Sequence, residues 1–206
     1  METVNFEKLQ KSISNLDNKS SRIYFFVQDT KGNAKASVSF IYRMAMSLKN
    51  SGYNPTILHE TKEYIGVSEW LGPEYMDIPH SHIEGQQLEI SPEDILVVPE
   101  IFGYMMNQVS KLPCSKIVLC QSADWIVETL PPGQNWSEHG FTRCIVTSEW
   151  LEQYVSPVMR NVDYSVINPI ISDVFKESEY PKKPIISVHS RDQRDGLNLI
   201  KTFYLK

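Results

Sequence analysis

Residues 143–175 read RCIVTSEWLEQYVSPVMRNVDYSVINPIISDVF. An apolar run, Cys144 to Val146, leads to the small polar Ser148. A stripe of Trp150, Leu151, Tyr154 and Val155 at helical spacing follows. A second apolar pair, Val166 and Ile167, closes on Asn168-Pro169, with Asp173 and Phe175 shortly after. A short apolar run, a helical stripe and a second apolar run mark a strand–helix–strand unit. Two strands joined through a helix run parallel. The predicted class is therefore α/β, a Rossmann-like three-layer sandwich with a mostly parallel sheet.

The rest of the chain repeats this alternation. Residues 22–28, RIYFFVQ, are nearly all aromatic or β-branched, as in a strand buried on both faces. A polar loop, Asp29 to Lys35, precedes a predicted helix over 37–50, with Val38, Ile41, Met44, Ala45 and Leu48 inward and Ser51-Gly52 at its end. Residues 55–59 are the next strand. Patterning loosens over 61–92, where 64–71 reads as a helix ended by Gly72-Pro73 and 82–90 as a short strand. Strands at 94–99 and 116–121 and helices at 102–111 and 125–130 complete the series, with Pro131-Pro132-Gly133 as a loop. At the N-terminus, residues 1–20 carry Phe6, Leu9, Ile13 and Leu16 at helical spacing and are expected to form an amphipathic helix that packs on the domain or frays. Residues 177–183 are charged and contain proline, as a linker would. Beyond them lie an apolar run at 184–190 and a helical pattern of Leu197, Ile200 and Phe203. The expected organisation is a helix at 1–20, a domain at 21–176, a linker at 177–183 and the start of a second domain at 184–206. A lone strand and helix cannot bury their own faces, so 184–206 is expected to dock on the first domain or on a second copy of the chain.

Bulk properties narrow the function classes. The chain has 206 residues, 41% hydrophobic and 22% charged, which suits an ordinary globular protein with a sizeable core. A net charge of -5 argues against a nucleic-acid-binding surface as the main role. No apolar run approaches the ~18 residues of a membrane span, and the first residues lack the apolar core of a secretory signal. Cys114, Cys120 and Cys144 share no metal-ligand spacing and read as buried thiols of a reducing, cytoplasmic protein.

In open parallel sheets, ligands bind beyond the carboxyl ends of the strands. This rule selects Gln28–Lys35, Glu100–Gly103, Gln121–Asp124, Ser148-Glu149 and Asn168–Asp173. The first loop carries Lys31-Gly32-Asn33 ahead of a helix. It could present N–H groups and charge to an anion, or be a solvated turn with Ser37 as the helix cap. It is neither a GxGxxG nor a Walker A loop. Gln121 and Asp124 could orient a hydroxyl or accept its proton, while Asp124 or Ser122 could equally cap the next helix. Glu100 is either a strand-end carboxylate facing the cleft or a first-turn residue favoured by the helix dipole. His80-Ser81-His82 lacks accompanying ligands and reads as two exposed loop histidines, with no metal required. His59 reads as a core or rim residue. Trp70 and Trp125 either pack or line a sugar cleft. Arg191, Arg194 and Gly196 sit at a strand-to-helix junction, where guanidinium groups suit a diphosphate and a solvated turn is the plain alternative.

The segment ending in Asn168-Pro169, Asp173 and Phe175 resembles the close of the first domain in GT-B glycosyltransferases, the two-Rossmann-domain nucleotide-sugar enzymes. The order of strands and loops over roughly 20–206 is similar to that family, most of all to its retaining group. The resemblance implies an acceptor-side N-terminal domain followed by the first strand and helix of a donor-binding domain. It implies a nucleotide-sugar donor, a glycan or small-molecule hydroxyl acceptor and no further cofactor. Lys31, Gly32 and Asn33 would lie near the donor phosphates, with Arg191, Arg194 and Gly196 gripping the diphosphate. Gln121-Ser122 stands where the family often has a histidine. Ser148, Glu149 and Asn168 would border the cleft, and Glu100, Gln121 and Asp124 are the catalytic candidates. Because most of the second domain is lacking, the expectation is an inactive fragment, with a homodimer through 184–206 as one outcome. A non-catalytic Rossmann-like binding module is the rival. A nucleotide-sugar epimerase using Glu100, Asp124 and His59 is a further alternative.

Overall fold

The computed structural model describes residues 21–64, 66–85, 88–169, 197–198 and 201–202. The chain divides into two compact units, Met1–Ile170 and Ile171–Lys206. Residues 197–198 and 201–202 of the second unit are helical. The expected N-terminal helix, the 177–183 linker, the 184–190 strand, Asp173, Phe175, Arg191, Arg194 and Gly196 lie outside the described residues.

The first unit is built on β1 (Arg22–Val27), β2 (Asn54–His59), β3 (His80–His82), β4 (Ile95–Pro99), β5 (Ser115–Cys120), β6 (Phe141–Val146) and β7 (Asp163–Val166). Its helices are α1 (Ala36–Asn50), α2 (Met106–Val109), α3 (Asp124–Thr129) and α4 (Glu149–Val155). The strands form a seven-stranded sheet in the order β3-β2-β1-β4-β5-β6-β7, every pair parallel. This is an α/β Rossmann-like fold, as the alternation predicted. All five residues of β4 and the last five of β1 are buried. That explains their unbroken apolar runs, since a sheet covered on both faces has no polar side. Alternate side chains feed two separate cores. Ile23, Phe25, Val97 and Ile117 join α1, whereas Tyr24, Phe26, Val118 and Cys144 join α2, α3 and α4. The three cysteines are buried free thiols.

Several local expectations change. The N-cap of α1 is Lys35 and no side chain caps it, so Ser37 sits inside the first turn instead of capping it. No helix forms over the described part of 64–71. A 3-10 turn covers Pro73–Asp77 instead, after Gly66 and Gly72 interrupt the segment, the latter at φ 140°. The third strand is three residues at His80–His82 rather than 82–90, and the left-handed Gly85 (φ 65°) ends its extension. The helix expected over 102–111 begins as a 3-10 turn, Glu100–Met105, broken by non-helical Phe102, before the single turn of α2. The aromatic stripe of α4 also divides. Leu151 and Val155 are buried, but Trp150 and Tyr154 are 68% and 60% exposed, with rings 5.7 Å apart. The four positions span about 140° around the helix, Trp150 and Tyr154 on one flank and Leu151 and Val155 on the other, and the second flank is the one turned to the core.

An ion pair anchors the amino ends of the two central strands. Asp94, just ahead of β4, accepts from the Arg22 backbone N–H (3.0 Å), the Arg22 Nη2 (2.8 Å) and the Ser91 N–H (2.9 Å). Its side chain is 3% exposed. Burial alone would raise its pKa, but the Arg22 guanidinium and the two backbone N–H groups outweigh this and hold it below the ordinary value. Asp94→Ala strands these donors at the base of the sheet and should cost about 2–3 kcal/mol in urea unfolding at pH 7. Because the folded-state pKa is depressed, that stabilisation is present above the unfolded value and lost as pH falls through the folded one. The gap between wild type and variant should therefore close below the ordinary value near 3.8.

Candidate functional site

β1 is hydrogen-bonded to β2 on one side and to β4 on the other. The chain leaves β1 into α1 on one face of the sheet and leaves β4 into the Glu100–Met105 turn on the other, since their residues fall in different cores. The carboxyl ends of β1 and β4 thus flank a topological switch point, where open α/β sheets leave a crevice. A small cleft of about 40 Å³ occupies it, lined by Gln28, Ser37, Pro99, Glu100, Gln121 and Trp125. Each lies at or just beyond the carboxyl end of β1, β4 or β5.

The polar groups of this cleft are tied to one another. Lys35 Nζ donates to Gln28 Oε1 (3.0 Å), and Gln121 Nε2 donates to the Ser37 carbonyl (3.3 Å). Glu100 is 3% exposed and accepts from the Ser122 N–H at 2.8 Å. Its carbonyl also accepts from Thr129 Oγ1 of α3 at 2.8 Å. The turn and α3 approach closely enough that a Cβ on Gly103 would lie 2.6 Å from Thr129 Oγ1. Burial pushes the Glu100 pKa up to about 7, with the Ser122 N–H among the groups resisting the rise. Such a carboxyl exchanges a proton readily near neutral pH. Beside it, Trp125 is 41% exposed and offers part of its ring to solvent.

The expected site residues are partly gathered here. Glu100 and Gln121 meet in the cleft. Asp124 opens α3 next to them and is exposed, its Oδ2 3.4 Å from Ser122 Oγ. It caps nothing through its side chain, since the N-cap is Ala123. Lys31 and Gly32 form a left-handed turn (φ 50° and 77°). The Lys31 N–H is already taken by Asp29 Oδ1 at 2.9 Å, and Asn33 folds back on the Thr30 carbonyl at 3.0 Å. Lys31 lines a broader, open cavity of about 780 Å³ with Asp29, Lys62, His82 and Glu84, over the ends of β1 to β3. Ser148 is the N-cap of α4, accepting from the Leu151 N–H at 3.1 Å, and Glu149 is in that helix's first turn. Both lie two strands from β4, about 10 Å along the sheet. Asn168 is exposed after β7. Gln28 lies in the loop that the strand-end rule selects but is not among the residues given a role there, and Ser37 is read only as a helix cap. Gln28 immediately follows the last residue of β1, and that position was the available signal.

His59 is buried, as expected of a core residue, but His80 and His82 are half-buried in β3 and so depart from the exposed-loop reading. The Nδ1 of His80 lies 2.9 Å from Nε2 of His59. The Tyr64 ring stacks on His59 at 3.6 Å and within 4° of parallel. His59 is buried in this stack rather than facing the cleft, so the structure does not bring it together with Glu100 and Asp124. Among the described residues no group of three or more His, Cys, Asp or Glu side chains could hold a metal ion. None of the described helices is long and apolar enough to cross a membrane.

No family model matches the sequence, and no solved structure matches it. An α-1,6-glucosyltransferase of Actinobacillus pleuropneumoniae serotype 7 (strain AP76) is 25% identical to it over 126 residues, 60% of this chain. The matched stretch spans 38% of that relative's length. The fold is that of a Rossmann-like α/β domain, and a distant relative of the chain is a glucosyltransferase.

Two pH effects follow. Burial, reinforced by His80, holds the His59 pKa down to about 3, against an ordinary 6.5. The folded state keeps this ring neutral while the unfolded chain takes up a proton, so stability should fall as pH drops from 6.5 towards 3. His59→Gln should flatten that decline in thermal unfolding, though in part only, because His80 is lowered too. For Glu100 the sign is opposite. A raised folded-state pKa gives stabilisation that is full below the ordinary 4.5 and lost as pH rises through about 7. Glu100→Gln should therefore match wild type near pH 4 and exceed it at pH 8, by on the order of 3 kcal/mol.

Proposed function

We propose that this chain carries the acceptor-side domain of a GT-B glycosyltransferase, which transfers a sugar from a nucleotide-sugar donor to a hydroxyl acceptor. The observation that carries the reading is the similarity to a glucosyltransferase over 126 residues, joined to a cleft at the switch point of the sheet. The acceptor lies against Trp125, whose exposed ring suits the C–H face of a pyranose. Gln121 and Gln28 orient its hydroxyls. Glu100, near neutral in pKa, and the exposed carboxylate of Asp124 are the groups able to take up the acceptor proton as its oxygen attacks the anomeric carbon. Ser148, Glu149 and Asn168 border the outer cleft.

For the donor, Lys31, Gly32 and Asn33 are the candidates to face its phosphates, and Arg191, Arg194 and Gly196 the candidates to hold its diphosphate. Stabilisation of the departing diphosphate supplies much of the rate. The nucleotide itself is held by a donor-binding domain of which 184–206 is the start. The enzyme works in the cytoplasm, and a homodimer through 184–206 covers apolar surface there.

The test is tryptophan fluorescence of the chain titrated with glucose oligosaccharides, beside Trp125→Ala and Gln121→Ala. Saturable quenching in wild type, weakened about tenfold or lost in Trp125→Ala, is the expected result. Absence of saccharide binding, together with absence of transfer by a version extended through a donor domain, would overturn the reading. In that extended version, Arg191→Ala with Arg194→Ala should weaken nucleotide-sugar binding at least tenfold.

A further inference from the structure

The outer layer of the sheet leaves large apolar side chains in solvent. In α4, Leu151 and Val155 are buried, as is Met159 one turn further on. Trp150 and Tyr154, each one residue earlier, are exposed, and Val158 continues their stripe at 64% exposure. The Trp150 and Tyr154 rings lie within 17° of parallel. In α3, Ile126 is buried in the same core, while the next residue, Val127, is 84% exposed.

The hand of the fold decides where these side chains point. α3 lies in the connection from β5 to β6, and α4 in that from β6 to β7, so both lead back from the carboxyl edge of the sheet. Both pack on the same face. Crossovers between parallel strands are right-handed. Seen from that face with the strands upright, β5, β6 and β7 therefore run from left to right, and the helices descend in front of them. A right-handed helix that descends turns clockwise when viewed from above. A residue one place before a buried position thus points left, and one place after points right. Trp150 and Tyr154 precede Leu151 and Val155, so they lean towards β5 and α3. Val127 follows Ile126 and leans towards α4. The same rule turns Trp125, just before Ile126, towards β4, and Trp125 does line the cleft with Glu100.

The two helices thus border a groove, with Val127 on one wall and Trp150, Tyr154 and Val158 on the other. From Trp150 to Val158 the second wall is about 12 Å long. At its lower end Asn135 Nδ2 comes within 3.5 Å of the Val158 carbonyl. Its upper end opens at the carboxyl edge of the sheet beside exposed Asp124, the neighbour of Trp125. The charged residues of the two helices are Asp124, Glu128, Glu149 and Glu152, with no lysine or arginine. Such a rim repels anionic partners and offers carboxylate oxygens to hydroxyl donors. The open ring faces suit the C–H faces of sugars. We propose that the groove is an extended saccharide subsite, which holds the outer sugars of a chain whose reacting end lies against Trp125. This rests on the saccharide reading of the cleft and adds to it that the acceptor is an oligosaccharide rather than a single sugar.

The test is calorimetric titration of the full chain with maltose and maltoheptaose, and with isomaltose and isomaltoheptaose. In at least one series the heptasaccharide should bind about tenfold more tightly than the disaccharide. Trp150→Ala with Tyr154→Ala should remove that advantage while leaving disaccharide affinity and the thermal midpoint unchanged, because both side chains are exposed. Trp125→Ala should weaken both lengths. Amide NMR shifts at Val127, Trp150 and Tyr154 should appear with the heptasaccharide and not with the disaccharide. Equal affinity for the two lengths, or an advantage that survives in the double variant, would overturn the groove and leave the cleft reading standing. Failure of every saccharide to bind would overturn the cleft reading, and the groove with it. A dimer in light scattering that the double variant dissolves would assign the rings to a second copy and overturn the proposal as well.

Discussion

Two neighbouring parallel strands, β1 and β4, hydrogen-bond to each other yet send their connections to opposite faces of the sheet. Everything of functional interest follows from that divergence. Crossovers between parallel strands are right-handed, so a chain that builds β1-β2-β3 in one direction and then returns to the far side of β1 must lay its later connections on the opposite face. The return through β4 opens a crevice at the carboxyl ends and places Gln28, Glu100 and Gln121 around it. At the other end, the Arg22–Asp94 pair ties the same two strands together. The centre of the sheet is thus closed at its base and open at its top.

Within the cleft, burial and hydrogen bonding act in opposition on one carboxyl. Glu100 is removed from water, which disfavours its charge, yet it accepts from the Ser122 N–H, which favours it. The outcome is a group whose charge changes near neutral pH. It is attached to the loop that presents Gln121, Asp124 and Trp125. An exposed ring beside amide side chains and a titratable carboxyl is a combination suited to a polyhydroxylated ligand.

Most of the fold was legible in the sequence because strands buried on both faces announce themselves as unbroken apolar runs. IYFFV runs into a polar loop and ILVVP follows one, and neither has a competing helical period. The 61–92 region was not legible for a physical reason. Its order comes from ring stacking of Tyr64 on His59, the His59–His80 hydrogen bond and glycine turns, none of which leaves a periodic signal. The site was half legible. The strand-end rule led to Glu100 and Gln121, but the loop after β1 was weighted towards Lys31-Gly32-Asn33. Gln28 and Ser37 reach the cleft instead, because Asp29 and Thr30 turn Lys31 and Asn33 back on their own loop. In α4 the apolar stripe marks the helix, but only Leu151 and Val155 of its four residues are buried.

The central claim is that the switch-point cleft binds a saccharide acceptor. Backbone-amide NMR of the chain titrated with a glucose oligosaccharide tests it most directly. The account predicts saturable shifts concentrated at Gln28, Glu100, Gln121–Trp125 and the first turn of α1. Shifts confined to the amino ends of the strands, or none at millimolar saccharide, would contradict it.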